Sequence, residues 1–127
     1  LPAQGNKVRL SVHMREGSKS LLTTTLGLSR GGMVLVGGPS HEAGVLILTR
    51  TLAKLLAPYG ITLNAISPGF IDSGSAPPEE LAGVVKRIPA GYVGSVGDTV
   101  GAVRYLLSEE ARYVNGANLH LSGGWGI

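Results

Sequence analysis

With 127 residues, 43% hydrophobic and 15% charged, the chain has enough apolar surface to fold as one domain and too little charge for a disordered protein. Zero cysteines exclude a disulfide framework and thiolate metal or redox chemistry, and three scattered histidines give no zinc spacing. The net charge of +3 gathers early, where Lys7, Arg9, Arg15, Lys19 and Arg30 face only Glu16. Apolar residues interrupt these charges, no aromatics interleave them and no recognition helix follows, so a solvated surface is expected and nucleic acid is not an expected partner.

No apolar run approaches the roughly 18 to 20 residues that span a bilayer, and Leu1-Pro2-Ala3-Gln4-Gly5-Asn6 lacks the apolar core of a signal peptide. A soluble, cytoplasmic protein without a membrane partner is therefore expected. The first residue is not methionine, which leaves processing, a fragment or an incomplete record open.

Residues 1–7 read as a frayed lead-in, within a stretch 1–17 that has no well-defined element. Leu21, Leu22 and Leu26 have helix-compatible spacing, against which the β-branched Thr23-Thr24-Thr25 lose rotamer freedom. The spacing predicts a helix over Ser18 to Leu28, stopped by Gly31-Gly32. Met33-Val34-Leu35-Val36 is a continuous apolar run suited to a strand buried on both faces, ended by Gly37-Gly38-Pro39. Ser40 is placed to cap a helix running to about Leu56, with Val45, Leu48, Leu52 and Leu55 on its core face and Pro58 and Gly60 as stop signals.

Ile61 to Ile66 is the next predicted strand. Gly74 to Pro78 is a loop rich in breakers. Pro78, Glu79 and Glu80 suit the first turn of a short helix that ends near Ile88-Pro89. Ser95-Val96-Gly97-Asp98 matches a capping box, opening a helix with Val100, Val103 and Leu107 at core-facing spacing. Asn115-Gly116 is a turn before a last strand, Asn118 to Leu121. This order predicts an α/β domain with a mostly parallel sheet and right-handed crossovers.

Several stretches carry a family resemblance. Ala43-Gly44-Val45 with Leu48-Thr49-Arg50-Thr51-Leu52-Ala53, then Ala57-Pro58-Tyr59-Gly60-Ile61-Thr62, precede the run Thr62 to Ser73 with its Pro68-Gly69 corner. Ile88-Pro89-Ala90-Gly91, Tyr105-Leu106-Leu107-Ser108, Tyr113-Val114-Asn115-Gly116 and the closing Gly116 to Gly124 follow in order. Over residues 41–127 the chain resembles the C-terminal half of a short-chain dehydrogenase/reductase, of the 3-oxoacyl carrier-protein reductase type.

The resemblance implies one truncated Rossmann-like, doubly wound domain over 1–127. It lacks the N-terminal nucleotide-binding βαβ unit, since no GxGxxG turn stands between a first strand and helix. It implies NADP or NAD as cofactor and a small carbonyl or alcohol as substrate. Pro68, Gly69, Ile71 and Ser73 match the family's PG motif, where the Ile71 backbone and the Ser73 hydroxyl would contact the nicotinamide carboxamide; a simple strand-to-loop turn is the alternative. The positions of the family's Tyr-x-x-x-Lys pair hold Gly38 and Glu42: glycine carries no proton, and glutamate inverts the charge. No catalytic residue is therefore assigned. Ser40 reads as a helix cap, and Tyr59, Tyr92, Tyr105 and Tyr113 as packing or surface residues. Ser122 stands where the family often has aspartate. The family's subunit contacts imply a homo-oligomer. The expected protein is an oxidoreductase of this family or a fragment of one, inactive as an isolated chain; the alternative is a non-catalytic oligomerising module.

Overall fold

The computed structural model describes residues 3–4, 7–16, 18–29, 31–36 and 42–127. In chain order the elements are β1 (Ala3–Gln4), β2 (Lys7–Glu16), β3 (Lys19–Ser29), β4 (Gly31–Val36), α1 (Glu42–Leu56), β5 (Ile61–Pro68), β6 (Ile71–Asp72), α2 (Pro78–Val85), β7 (Gly94–Ser95), α3 (Val96–Leu107) and β8 (Asn118–Leu121). The fold class is the expected one, α/β, with the parallel sheet and helices of a partial Rossmann-like domain.

One early expectation is overturned. The predicted helix over Ser18 to Leu28 is the strand β3, paired antiparallel with β2 in a sheet of order β1-β2-β3. Val8, Leu10, Val12 and Met14 stand opposite Leu28, Leu26, Thr24 and Leu22. From Lys7 to Arg15 polar and apolar residues alternate, which is the period of a strand. Given that partner, the three threonines fit a pleated ladder better than a helix. The ribbon occupies much of the 1–17 stretch set apart as a lead-in.

The central sheet has the order β4-β5-β8 and is parallel throughout. Gly31 to Val36 pair with Ile61 to Ile66, and Ala65 to Pro68 pair with Asn118 to Leu121. Helix α1 packs on β5, and α3 lies against β4, β5 and β8. The core joins Leu52, Ala53 and Leu56 of α1 to Ile61 and Leu63 of β5, with Met33, Leu35, Leu48 and Tyr59 packed around them. Complete burial of Leu56, Ile61, Leu63 and Ile66 contributes about 1.5–3 kcal/mol per side chain.

The buried stripe of α1 is displaced from the expected one. Leu52 and Leu56 are buried, Val45 and Leu48 half-buried, and Leu55 is 52% exposed. Thr49 holds the centre of the stripe because its hydroxyl donates to the Val45 carbonyl at 2.6 Å, which makes a polar side chain acceptable inside. In α3 the expected capping box is formed, but the buried residue is Leu106, while Val100 and Leu107 are exposed. Leu107 meets the sheet at its rim: a methyl added to Gly32 would lie 3.0 Å from its Cδ2.

Asn64, in the middle of β5 and fully buried, is the polar centre of the sheet. Its Nδ2 donates to the Val114 carbonyl, and its Oδ1 accepts from the Ala117 amide, both at 2.9 Å. Asn115 answers from the loop: Oδ1 accepts from the Leu63 amide at 2.9 Å, and Nδ2 donates to the Ala53 carbonyl at 3.2 Å. Two side-chain amides thus fasten residues 114–117 to β5 and deliver β8 alongside it.

Candidate functional site: the exit of β5 and its cleft

In open α/β sheets ligands bind in the crevice beyond the carboxyl ends of the strands. Here β5 leaves the sheet at Pro68, opposite Leu121, and the Gly69 amide donates to the Leu121 carbonyl at 2.9 Å. The contact is close enough to require glycine, since a methyl at residue 69 would fall 2.9 Å from Ser122 Cα and 3.0 Å from its Cβ. Next, Gly94 donates to the Phe70 carbonyl at 3.0 Å, and Ile71 takes its register opposite Gly94.

Beyond these strand ends lies a cleft of about 240 Å³, with Phe70, Ile71, Tyr92, Asp98, His120 and Ser122 among its walls. Of the four expected site residues, Ile71 lines the cleft. Pro68 and Gly69 stand behind it and set the approach of β5 to β8. Ser73 lies outside the lining, its hydroxyl 3.0 Å from that of Ser75. Glu42 opens α1, whereas Gly38 and Ser40 fall outside the described residues.

A tilted aromatic pair braces the corner. The rings of Phe70 and Trp125 are 4.7 Å apart at 55°, and the Arg87 guanidinium sits 5.4 Å from the Phe70 centroid and 6.0 Å from that of Trp125. Such contacts contribute about 0.5–1 kcal/mol each at exposed sites. Tyr92, His120 and Trp125 were not singled out for this place, because they converge from separate loops and strands. Asp98 was legible only as a cap.

Among the described residues Asp98 is the one carboxylate in the lining. Its Oδ2 accepts from the Ser95 amide at 2.7 Å and the Ser95 hydroxyl at 2.9 Å. The bond from the Ser95 backbone, then that from its side chain, hold the carboxyl below its ordinary value of 3.8. A carboxylate with a depressed folded-state pKa contributes stability that is present above the ordinary value and lost as pH falls through the lower one. Melting temperatures of the wild type and Asp98→Asn should therefore differ near neutrality and converge below pH 3.8. An unchanged difference at about pH 2 would contradict the capping role.

Among the described residues no group of His, Asp and Glu is arranged to hold a metal ion, and no helix is long and apolar enough to cross a membrane.

A parallel α/β sheet flanked by helices, with a small cleft at its strand ends, defines a partial Rossmann-like domain. The model of the family described as Enoyl-(Acyl carrier protein) reductase matches residues 7–126, and the chain belongs to this family of short-chain dehydrogenases/reductases. It is 40% identical over 86 residues to the 3-oxoacyl-[acyl-carrier-protein] reductase FabG of Haemophilus influenzae, covering 65% of this chain and 36% of that protein. It is 34% identical over 106 residues to FabG of Salmonella typhimurium, covering 79% and 43%. The 2-dehydro-3-deoxy-D-gluconate 5-dehydrogenase of Pseudoalteromonas atlantica is 34% identical over 116 residues, covering 87% and 46%. The chain spans less than half the length of these three relatives.

Proposed function

We propose that this chain is the nicotinamide side of an NAD(P)-dependent oxidoreductase acting on a small carbonyl or alcohol, and that it does not turn over by itself. The observation that carries the reading is the corner Pro68-Gly69-Phe70-Ile71, which sets Ile71 in the wall of a cleft at the carboxyl ends of β5 and β8. There the Ile71 backbone and, after a local rearrangement, the Ser73 hydroxyl would meet a carboxamide. The whole dinucleotide does not fit the residues present: among the described residues no glycine-rich turn of GxGxxG spacing offers a cradle for its phosphates. No hydride-transfer step is therefore derived. A cytoplasmic location and a single truncated Rossmann-like domain belong to the same proposal.

Nicotinamide itself, which needs no phosphate cradle, tests the corner. Its addition is expected to shift the backbone amide resonances of residues 70–73 saturably; no shift there overturns the assignment. NADPH and NADH are expected to show no saturable fluorescence change with the isolated chain, and acetoacetyl-type compounds no reduction. Measurable turnover would sink the claim of inactivity.

A second reading, an oligomerising module without catalysis, is favoured by apolar side chains left in solvent. Ile47 and Leu55 of α1 are 68% and 52% exposed, and Val96 and Leu107 of α3 are 52% and 50% exposed. Apolar surface of this kind favours association with a second copy. Light scattering is expected to give a dimer or larger species, and a monomer at micromolar concentration would remove this reading.

A further inference from the structure

We infer that the cleft beside Ile71 selects a small neutral ligand bearing a hydroxyl or carbonyl group and turns away carboxylates and phosphates, with Asp98 as the selecting residue. The inference rests on reading this corner as the ligand side of an oxidoreductase acting on a small carbonyl or alcohol, and it adds the charge selection and the residue that makes it.

The first observation is size. About 240 Å³ lies below the range of roughly 300–1,000 Å³ typical of drug-sized ligands, so the occupant is a small molecule. The second is charge. Among the residues whose side chains are described, neither lysine nor arginine lines the cleft, and Asp98 does. Arg87, a cation beside the corner, lies over the faces of Phe70 and Trp125.

A third observation removes the usual attraction for anions. The amino end of α3 would favour a negative ligand through its dipole and free amides. Here the capping box already supplies that negative charge: Asp98 accepts from the Ser95 amide, and Ser95 Oγ accepts from the Asp98 amide at 3.2 Å. An incoming carboxylate would meet a fixed carboxylate where a bare helix end would have offered donors. A hydroxyl can instead donate to the remaining lone pairs of Asp98. The Tyr92 hydroxyl and the His120 ring offer further polar partners, and Phe70, Ile71 and Leu121 supply apolar wall. Both features suit a compact neutral molecule with one or two polar groups.

The test uses lactamide and lactate, which have nearly the same shape and differ in charge. Both are titrated against the full chain near neutral pH, with the amide resonances of residues 92–98 and 120–123 followed by NMR. Lactamide is expected to shift these resonances saturably and to bind about tenfold more tightly than lactate. Asp98→Asn keeps an amide oxygen that can accept the Ser95 N–H, and it should bring the two affinities together by improving lactate. Tyr92→Phe, at a position 65% exposed, should weaken lactamide several-fold without altering the fold.

Equal binding of the two by the wild type, tighter binding of lactate, or no binding of either overturns the inference. A preference for lactamide that persists in Asp98→Asn assigns the selection elsewhere and overturns the role of Asp98. Failure of nicotinamide to shift residues 70–73, with the lactamide preference intact, removes the cofactor corner and leaves the cleft's selectivity standing. The two readings therefore fail separately.

Discussion

Asn64→Ala is expected to be among the most damaging single changes in the protein, lowering stability by about 2–5 kcal/mol. The side chain is fully buried, and its removal strands the Val114 carbonyl and the Ala117 amide, each now bonded at 2.9 Å. A backbone group left without a partner away from water costs about 1–3 kcal/mol, and both of these bonds are part-buried. Asn64→Asp should not rescue the protein, because a carboxylate cannot donate to the Val114 carbonyl and would bring a buried charge. Urea unfolding measures the loss. Hydrogen exchange locates it, with the Gly116 and Ala117 amides expected to lose protection before those in the middle of α1. A loss below about 1 kcal/mol would show that water replaces the amide readily and that the loop is not fastened as described.

Gly69→Ala is expected to cost about 1–3 kcal/mol and to disturb the cleft at the same time. The added methyl would stand 2.9 Å from Ser122 Cα, and a backbone atom cannot rotate away. Either the exit of β5 or that of β8 must move, straining the 2.9 Å bond from the Gly69 amide to the Leu121 carbonyl. Gly44→Ala supplies the contrast, since nothing lies within 4 Å of the new methyl and the residue is inside α1. There alanine is expected to stabilise by about 0.5–1 kcal/mol through helix propensity. If both substitutions shift the urea midpoint in the same direction, the close packing at the corner is not what requires glycine at 69.

Legibility in the sequence followed how local each interaction is. The strands Met33 to Val36 and Ile61 to Ile66, the box Ser95 to Asp98 and the turn at Asn115-Gly116 rest on neighbours in the chain, and their residues announce them. The β2–β3 ribbon was missed because leucine spacing was weighed within one segment, whereas the outcome depends on a partner strand whose own alternation was legible. Leu55 and Leu107 were placed inward because every apolar residue near the stripe was counted. Thr49 was passed over because its hydroxyl finds its acceptor one helical turn back. The corner at Pro68-Gly69 was readable, but the cleft was not. Tyr92, Asp98 and His120 meet there only after β8 has been drawn beside β5 by asparagine amides that bridge about fifty residues of chain.

The tilted pair of Phe70 and Trp125 gives the protein an optical handle. The chain holds a single tryptophan, so its emission is free of overlap from other indoles, and its ring rests on a residue of the cleft wall. Its wavelength and intensity report solvent access at the exit of β5 and the arrival of ligand there. Rates of ligand binding and release at this one corner can thus be timed by stopped flow on the native chain, without attaching a dye.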